Sequence, residues 1–140
     1  MTIEFRDYRP LALAQMNREH EEFANLLNEA EQALLMGRAG LPYLRRVYEH
    51  CQQHFAQEER DMEYLRFPAL ASHRHEHQRI LQQFADALAG YESSGDMTGV
   101  LEFLMDVIPD WFGRHMNDYD RALSQFLVQQ EQKQDQKRAH

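Results

Sequence analysis

Between residues 54 and 77 the sequence reads HFAQEERDMEYLRFPALASHRHEH, with two pairs of metal-ligating side chains at one spacing: His54 with Glu58, and His73 with His77. Residues four apart on an α-helix lie about 40° apart around its axis, so each pair points one way. Phe67-Pro68 falls between the pairs. Pro68 disfavours helix at Phe67 and suits the first turn of a new one, so the stretch reads as two consecutive helices. If these run antiparallel, three imidazoles and a carboxylate converge on one point. Such a point needs ligands from further helices.

The remaining chain offers two more. Residues 1–10 (MTIEFRDYRP) carry Ile3, Phe5 and Tyr8 ahead of Pro10 and read as an extended N-terminal arm, with Pro10 opening the first helix. From about Leu11 to Met36, Met16, Phe23, Leu27, Ala30 and Leu34 recur in steps suited to one buried face, and His20 falls among them. Gly37 to Pro42 is a break. The second helix runs from about Pro42 to Arg66 and the third from about Pro68 to Tyr91. On the second, His50 lies one turn before His54, either as a bystander or as support for a ligand. On the third, His75 is about 200° around the axis from His73 and faces solvent. Glu92 to Asp96 is a polar turn in which Asp96 can cap the fourth helix. That helix spans about Met97 to Val128, with Trp111, Phe112 and His115 on its apolar side and Pro109 inside it, where a kink near His115 is expected. The polar tail, 129–140, reads as frayed helix or disorder. Four amphipathic helices with short connections predict an all-α, antiparallel up-down-up-down four-helix bundle over residues 1–128, with its cofactor position in the core.

Charge narrows the function. The net charge is −8 with acids spread along the chain, so neither nucleic acid nor an anionic membrane surface is an electrostatic partner. A single cysteine, Cys51, excludes an internal disulfide framework. No apolar run approaches the roughly 20 residues of a membrane span, and no signal-peptide core opens the chain. A soluble, cytoplasmic, monomeric protein is the expectation.

The inward polar residues are His20, His54, Glu58, His73, His77 and His115, followed by Asp118 and Asp120. Burying such groups without partners costs roughly 2–7 kcal/mol each, against a total stability of about 5–15 kcal/mol. All four helices contribute at least one, so they need a common partner. A metal centre is one, and it keeps imidazole neutral and carboxylate ionised. Spacing alone leaves Asp118, three residues from His115, in competition with Asp120, five residues on. A regular helix would set His115 and Asp120 about 140° apart.

The combination resembles the hemerythrins, in particular their single-domain bacterial members. Their pattern is an isolated His, then H-x-x-x-E, then H-x-x-x-H, then W-x-x-x-H-x-x-x-x-D on successive helices. Here it reads His20, His54-x-x-x-Glu58, His73-x-x-x-His77 and Trp111-x-x-x-His115-x-x-x-x-Asp120, over about residues 10–127. Two positions depart: Asn17 stands where an Asp is usual, and Met116 where an Ile is usual.

The resemblance implies a non-haem di-iron centre with an oxo or hydroxo bridge, binding molecular oxygen. His73, His77 and His115 would hold one iron, His20 and His54 the other, and Glu58 and Asp120 would bridge the two. One iron is then filled and the other keeps a free position, as a reversible oxygen carrier, store or local delivery protein requires. Trp111, Phe112 and Met116 are expected to wall the oxygen pocket. The alternatives are sensing of oxygen or nitric oxide through a partner, and oxidase, peroxidase or nitric oxide-consuming chemistry at the same centre.

Overall fold

The computed structural model describes residues 14–139, with side chains for 14–133, so the expected N-terminal arm and the opening at Pro10 lie outside the described residues. Helix α1 spans Ala14–Leu35, α2 Leu41–Tyr64 and α3 Leu70–Ser94. The fourth helix is built of five consecutive segments: α-helical Thr98–Glu102, π-helical Phe103–Val107, α-helical Ile108–His115, π-helical Met116–Asp120 and α-helical Arg121–Ala139. It therefore runs past the expected end near Val128, and backbone helix continues into the polar tail. No strand occurs among the described residues.

Cross-helix pairs fix the topology. Glu29 meets Arg46 and Glu19 meets His54, so α1 and α2 run antiparallel. Arg45 meets Glu92 and Glu59 meets Arg74, which sets α3 antiparallel to α2. Phe84 packs on Phe103 while His73 packs on His115, reversing the direction once more. The result is an up-down-up-down four-helix bundle. Its core comes from an apolar stripe on each helix, with Leu27, Leu34, Leu44, Val47, Met62, Phe84, Ile108 and Leu123 each at most 2% exposed. No helix among the described residues is long and apolar enough to cross a membrane.

The first two helices stop by the same device. After α1, Gly37 (φ 71°) donates to Leu34 and Arg38 donates to Ala33. After α2, Arg66 donates to Glu63 and Phe67 donates to Met62. Both are Schellman stops, which want glycine at the left-handed position. The second places Arg66 there, at φ 55°. Phe67 and Met62, the apolar pair that closes this motif, are both buried.

The predicted kink in the fourth helix takes a different form. Ile108 N–H donates back five residues to the Phe103 carbonyl, so the chain enters Pro109 through a π turn. Proline lacks an N–H, and the register shift just before it absorbs that loss without ending the helix. A second π turn follows His115, where Arg121 N–H donates to the Met116 carbonyl.

Candidate metal centre

Each helix delivers its polar residues to one level of the core. His20 arrives from α1, His54 and Glu58 from α2, His73 and His77 from α3, and His115 and Asp120 from the fourth helix. Two groups of ligand-type atoms result, and within each all atoms lie within 4.8 Å of one another: Glu58, His73, His77, His115 and Asp120 in one, and His20, His54 and Glu58 in the other.

The carboxylates face both ways. Glu58 Oε1 lies 3.4 Å from His73 Nε2 and 3.2 Å from His77 Nε2, while its Oε2 lies 3.1 Å from His54 Nε2. Asp120 Oδ1 lies 3.1 Å from His73 Nε2 and 3.0 Å from His115 Nε2, while its Oδ2 lies 3.1 Å from His20 Nε2. The π turn makes this arrangement possible. Five-residue hydrogen bonding brings residues five apart onto one face, which closes the wide angle a regular helix would put between His115 and Asp120. Asp118, the competitor on spacing, is exposed, as is His75.

The atoms turned toward the middle are unsatisfied. Both oxygens of Glu58, Asp120 Oδ1, and Nε2 of His73, His77 and His115 are buried without a hydrogen-bond partner. Nitrogens and oxygens 3 Å apart that are not hydrogen-bonded to each other are costly unless something lies between them. A cation satisfies all of them at once, and a nitrogen-rich donor set with two carboxylates suits a divalent first-row transition metal.

Electrostatics agree. Burial works to raise the Asp120 carboxyl, but the electrostatic interaction with His115 and polar contacts with His115, His20 and His73 hold it well below the usual carboxylate range. Burial and the charge of Asp120 likewise oppose ionisation of Glu58, and His54 and His73 overcome them. Burial disfavours a proton on His73, yet Asp120 and Glu58 draw its pKa up to about 9. His54 is raised in the same way by Glu58 and Glu19. Burial, aided by the charges of His115 and His73, instead pushes His77 down. In the metal-free protein, protons on His54 and His73 stand in for the cations.

Several supporting residues escaped the sequence. Glu19 Oε2 lies 2.5 Å from His54 Nδ1, and Glu59 Oε2 lies 3.2 Å from His77 Nδ1, so a carboxylate orients one imidazole in each histidine group. Each of these acids is the sequence neighbour of a ligand-type residue, about 100° around the helix from it, which points it at the flanking helix. That adjacency was the available signal. Ring stacking fixes other imidazoles: Phe55 lies on His77 with centroids 3.9 Å apart, and His115 sits between Trp111 at 4.4 Å and Tyr119 at 5.2 Å.

Beside the two-histidine group lies a cavity of about 20 Å³, lined among others by His20, His54, Phe23, Cys51, Trp111 and Phe112. Of the three residues expected to wall an oxygen pocket, Trp111 and Phe112 line this cavity. Met116 is buried but does not line this cavity, because it lies beyond His115 in the second π turn. Phe23 and Cys51 take up the wall instead. A smaller apolar void bounded by Phe23, Cys51, Phe55, Ile80, Phe84 and Trp111 adjoins it.

Comparison with known proteins agrees with this geometry. The chain is 29% identical over 127 residues, 91% of this chain and 90% of the relative, to a bacteriohemerythrin of Ralstonia nicotianae (strain ATCC BAA-1114 / GMI1000). No solved structure matches it. A family model described as the hemerythrin HHE cation binding domain matches residues 11–127, which covers all seven converging residues. The chain belongs to the hemerythrin HHE cation-binding domain family.

Proposed function

We propose that this protein binds molecular oxygen reversibly at a di-iron centre held by the seven converging residues. In this assignment His73, His77 and His115 hold one iron, His20 and His54 the other, and Glu58 and Asp120 span both. The observation that carries the proposal is where the cavity lies. It opens beside the histidine group that is one ligand short and is lined by both of its imidazoles, whereas of the other three histidines it meets His115 but not His73 or His77.

A pair of ferrous ions, when bound, supplies the two electrons that reversible oxygen binding draws on. The chain's residues set the conditions. Phe23, Phe55, Trp111 and Phe112 give the cavity an apolar wall that favours a small uncharged ligand over anions and bulk water. The adjoining void continues that apolar surface away from the centre. Glu19 and Glu59 fix the orientation of His54 and His77, and stacking does the same for His115. Of the ionisable residues lining the cavity, all but His50 and Cys51 belong to the assigned ligand set.

The test is a spectrum of anaerobically reduced, iron-loaded protein exposed to air and then returned to vacuum. A visible band that appears with oxygen and disappears on its removal supports carriage. Continuous oxygen consumption with reductant, or metal analysis giving one iron per chain, overturns it.

A further inference from the structure

One histidine beside the centre belongs to neither ligand group. His50 precedes His54 by one turn of α2, and the two rings stack with centroids 6.1 Å apart and 9° between planes. Phe23 also packs against the His50 ring, with centroids 6.3 Å apart. His50 lines the same small cavity as His20 and His54.

Its two nitrogens are in different situations. Nε2 is buried and has no hydrogen-bond partner. The ring nonetheless hydrogen-bonds the backbone of Glu19. With Nε2 unpartnered, that bond is made by Nδ1, and a backbone carbonyl can only accept, so Nδ1 carries the hydrogen. In a neutral imidazole this leaves a lone pair on Nε2. A buried acceptor with nothing to accept is a destabilising arrangement, and a cavity of about 20 Å³ beside it is large enough for a ligand of water's size.

We propose that the cavity is a site for a small protic ligand, one carrying its own O–H or N–H, whose hydrogen is accepted by His50 Nε2. The proposal rests on the di-iron assignment for what holds the ligand's other end. It adds a selectivity that the apolar wall cannot provide. Aprotic ligands of the same size gain nothing from the lone pair, whereas a protic one gains a buried hydrogen bond. His50 acts here as a specificity-determining residue and not as a metal ligand.

Two measurements test it. On metal-free protein labelled with ¹⁵N-histidine at pH 8, His50 should show a protonated Nδ1 and an unprotonated Nε2. The opposite tautomer overturns the proposal whatever metal the protein takes. On iron-loaded oxidised protein at pH 8, cyanamide and cyanate are compared. Both are rods of three heavy atoms, and cyanamide alone keeps N–H groups. His50→Phe, which keeps an aromatic ring, should weaken cyanamide about tenfold, the worth of one lost hydrogen bond, and leave cyanate within about twofold. His50→Gln, which restores an acceptor, should recover part of the cyanamide affinity. Equal changes for both ligands, or none for cyanamide, overturn the proposal. Iron content is measured on every sample, so a protein that fails to hold two irons refutes the di-iron assignment, and the tautomer experiment still decides the role of His50.

Discussion

Replacing Asp120 by Asn tests the centre at its most connected residue. The substitution keeps shape and removes charge. Asp120 is 2% exposed, with imidazole nitrogens of His20, His73 and His115 at 3.1, 3.1 and 3.0 Å. Removing one partner of a buried ion pair costs about 3–5 kcal/mol. Relief of its repulsion with Glu58 offsets part of this, so the lower end, about 3 kcal/mol, is expected for metal-free protein. With a urea slope of about 2 kcal/mol/M, the midpoint should fall by roughly 1.5 M. Asp118→Asn, on the exposed side of the same π turn, should stay within about 0.5 kcal/mol. The sign of the pH dependence follows from the depressed Asp120 carboxyl. Such a group stabilises the fold above its unfolded pKa of about 3.9 and loses that contribution as pH falls through its lower folded value. The gap between parent and Asp120→Asn should therefore be largely present at pH 7, shrink below about pH 4 as the carboxylate is protonated, and shrink again as pH rises toward the His73 pKa of about 9. Urea titrations with chelator present, at pH 7 and pH 3, together with metal analysis of untreated samples, decide it. If Asp120→Asn keeps its metal and its midpoint, or if Asp118→Asn loses both, the convergence on Asp120 is refuted.

Glu19→Gln removes the charged partner of His54 Nδ1, and loss of such support commonly lowers metal affinity 10–100-fold; stoichiometric cobalt titration should show the two-histidine site weakening first, and Glu59→Gln should weaken the other. Arg66→Gly relieves a left-handed residue at the cost of a more flexible unfolded chain, for a net gain of about 0.5–1 kcal/mol; a fall in melting temperature would show that Arg66 makes a compensating contact. Burial pushes the Cys51 thiol up to about 12, so iodoacetamide at pH 8 should label it only on unfolding; labelling of native protein within minutes would mean that the cavity admits reagents from solvent.

The seven converging residues were legible because six of them sit on apolar stripes with ordinary helical spacing. His20 follows Met16 by four residues, and His54–Glu58 and His73–His77 keep the same step. Turns between the first three helices were equally visible in Gly37 and in Phe67-Pro68. The left-handed stop at Arg66 was not. It depends on burying Phe67 against the core, and nothing about an arginine signals it. His50 was equally ambiguous, since its spacing from His54 placed it near the centre without saying whether a nitrogen would be left unpartnered. That depends on the backbone of Glu19, on another helix.

Asp120 was the one ligand-type residue that helical spacing argued against, and its placement shows what sequence periodicity assumes. The 100° step per residue holds only while hydrogen bonds return four residues back. Here two turns return five residues back, one before Pro109 and one after His115. Each adds one residue to the rod and rotates everything beyond it relative to a regular helix. The first carries Trp111 and His115 past the proline without a break, so both remain against Phe55 and His77 of the neighbouring helices. The second brings Asp120 around under His115 and then returns Leu123 to the core, where it is 1% exposed. A single α-helix through these residues could satisfy the apolar stripe or the carboxylate, but not both. The fourth helix gives up regular hydrogen bonding at the two places where that conflict arises, and one of them carries Asp120 into the candidate metal centre.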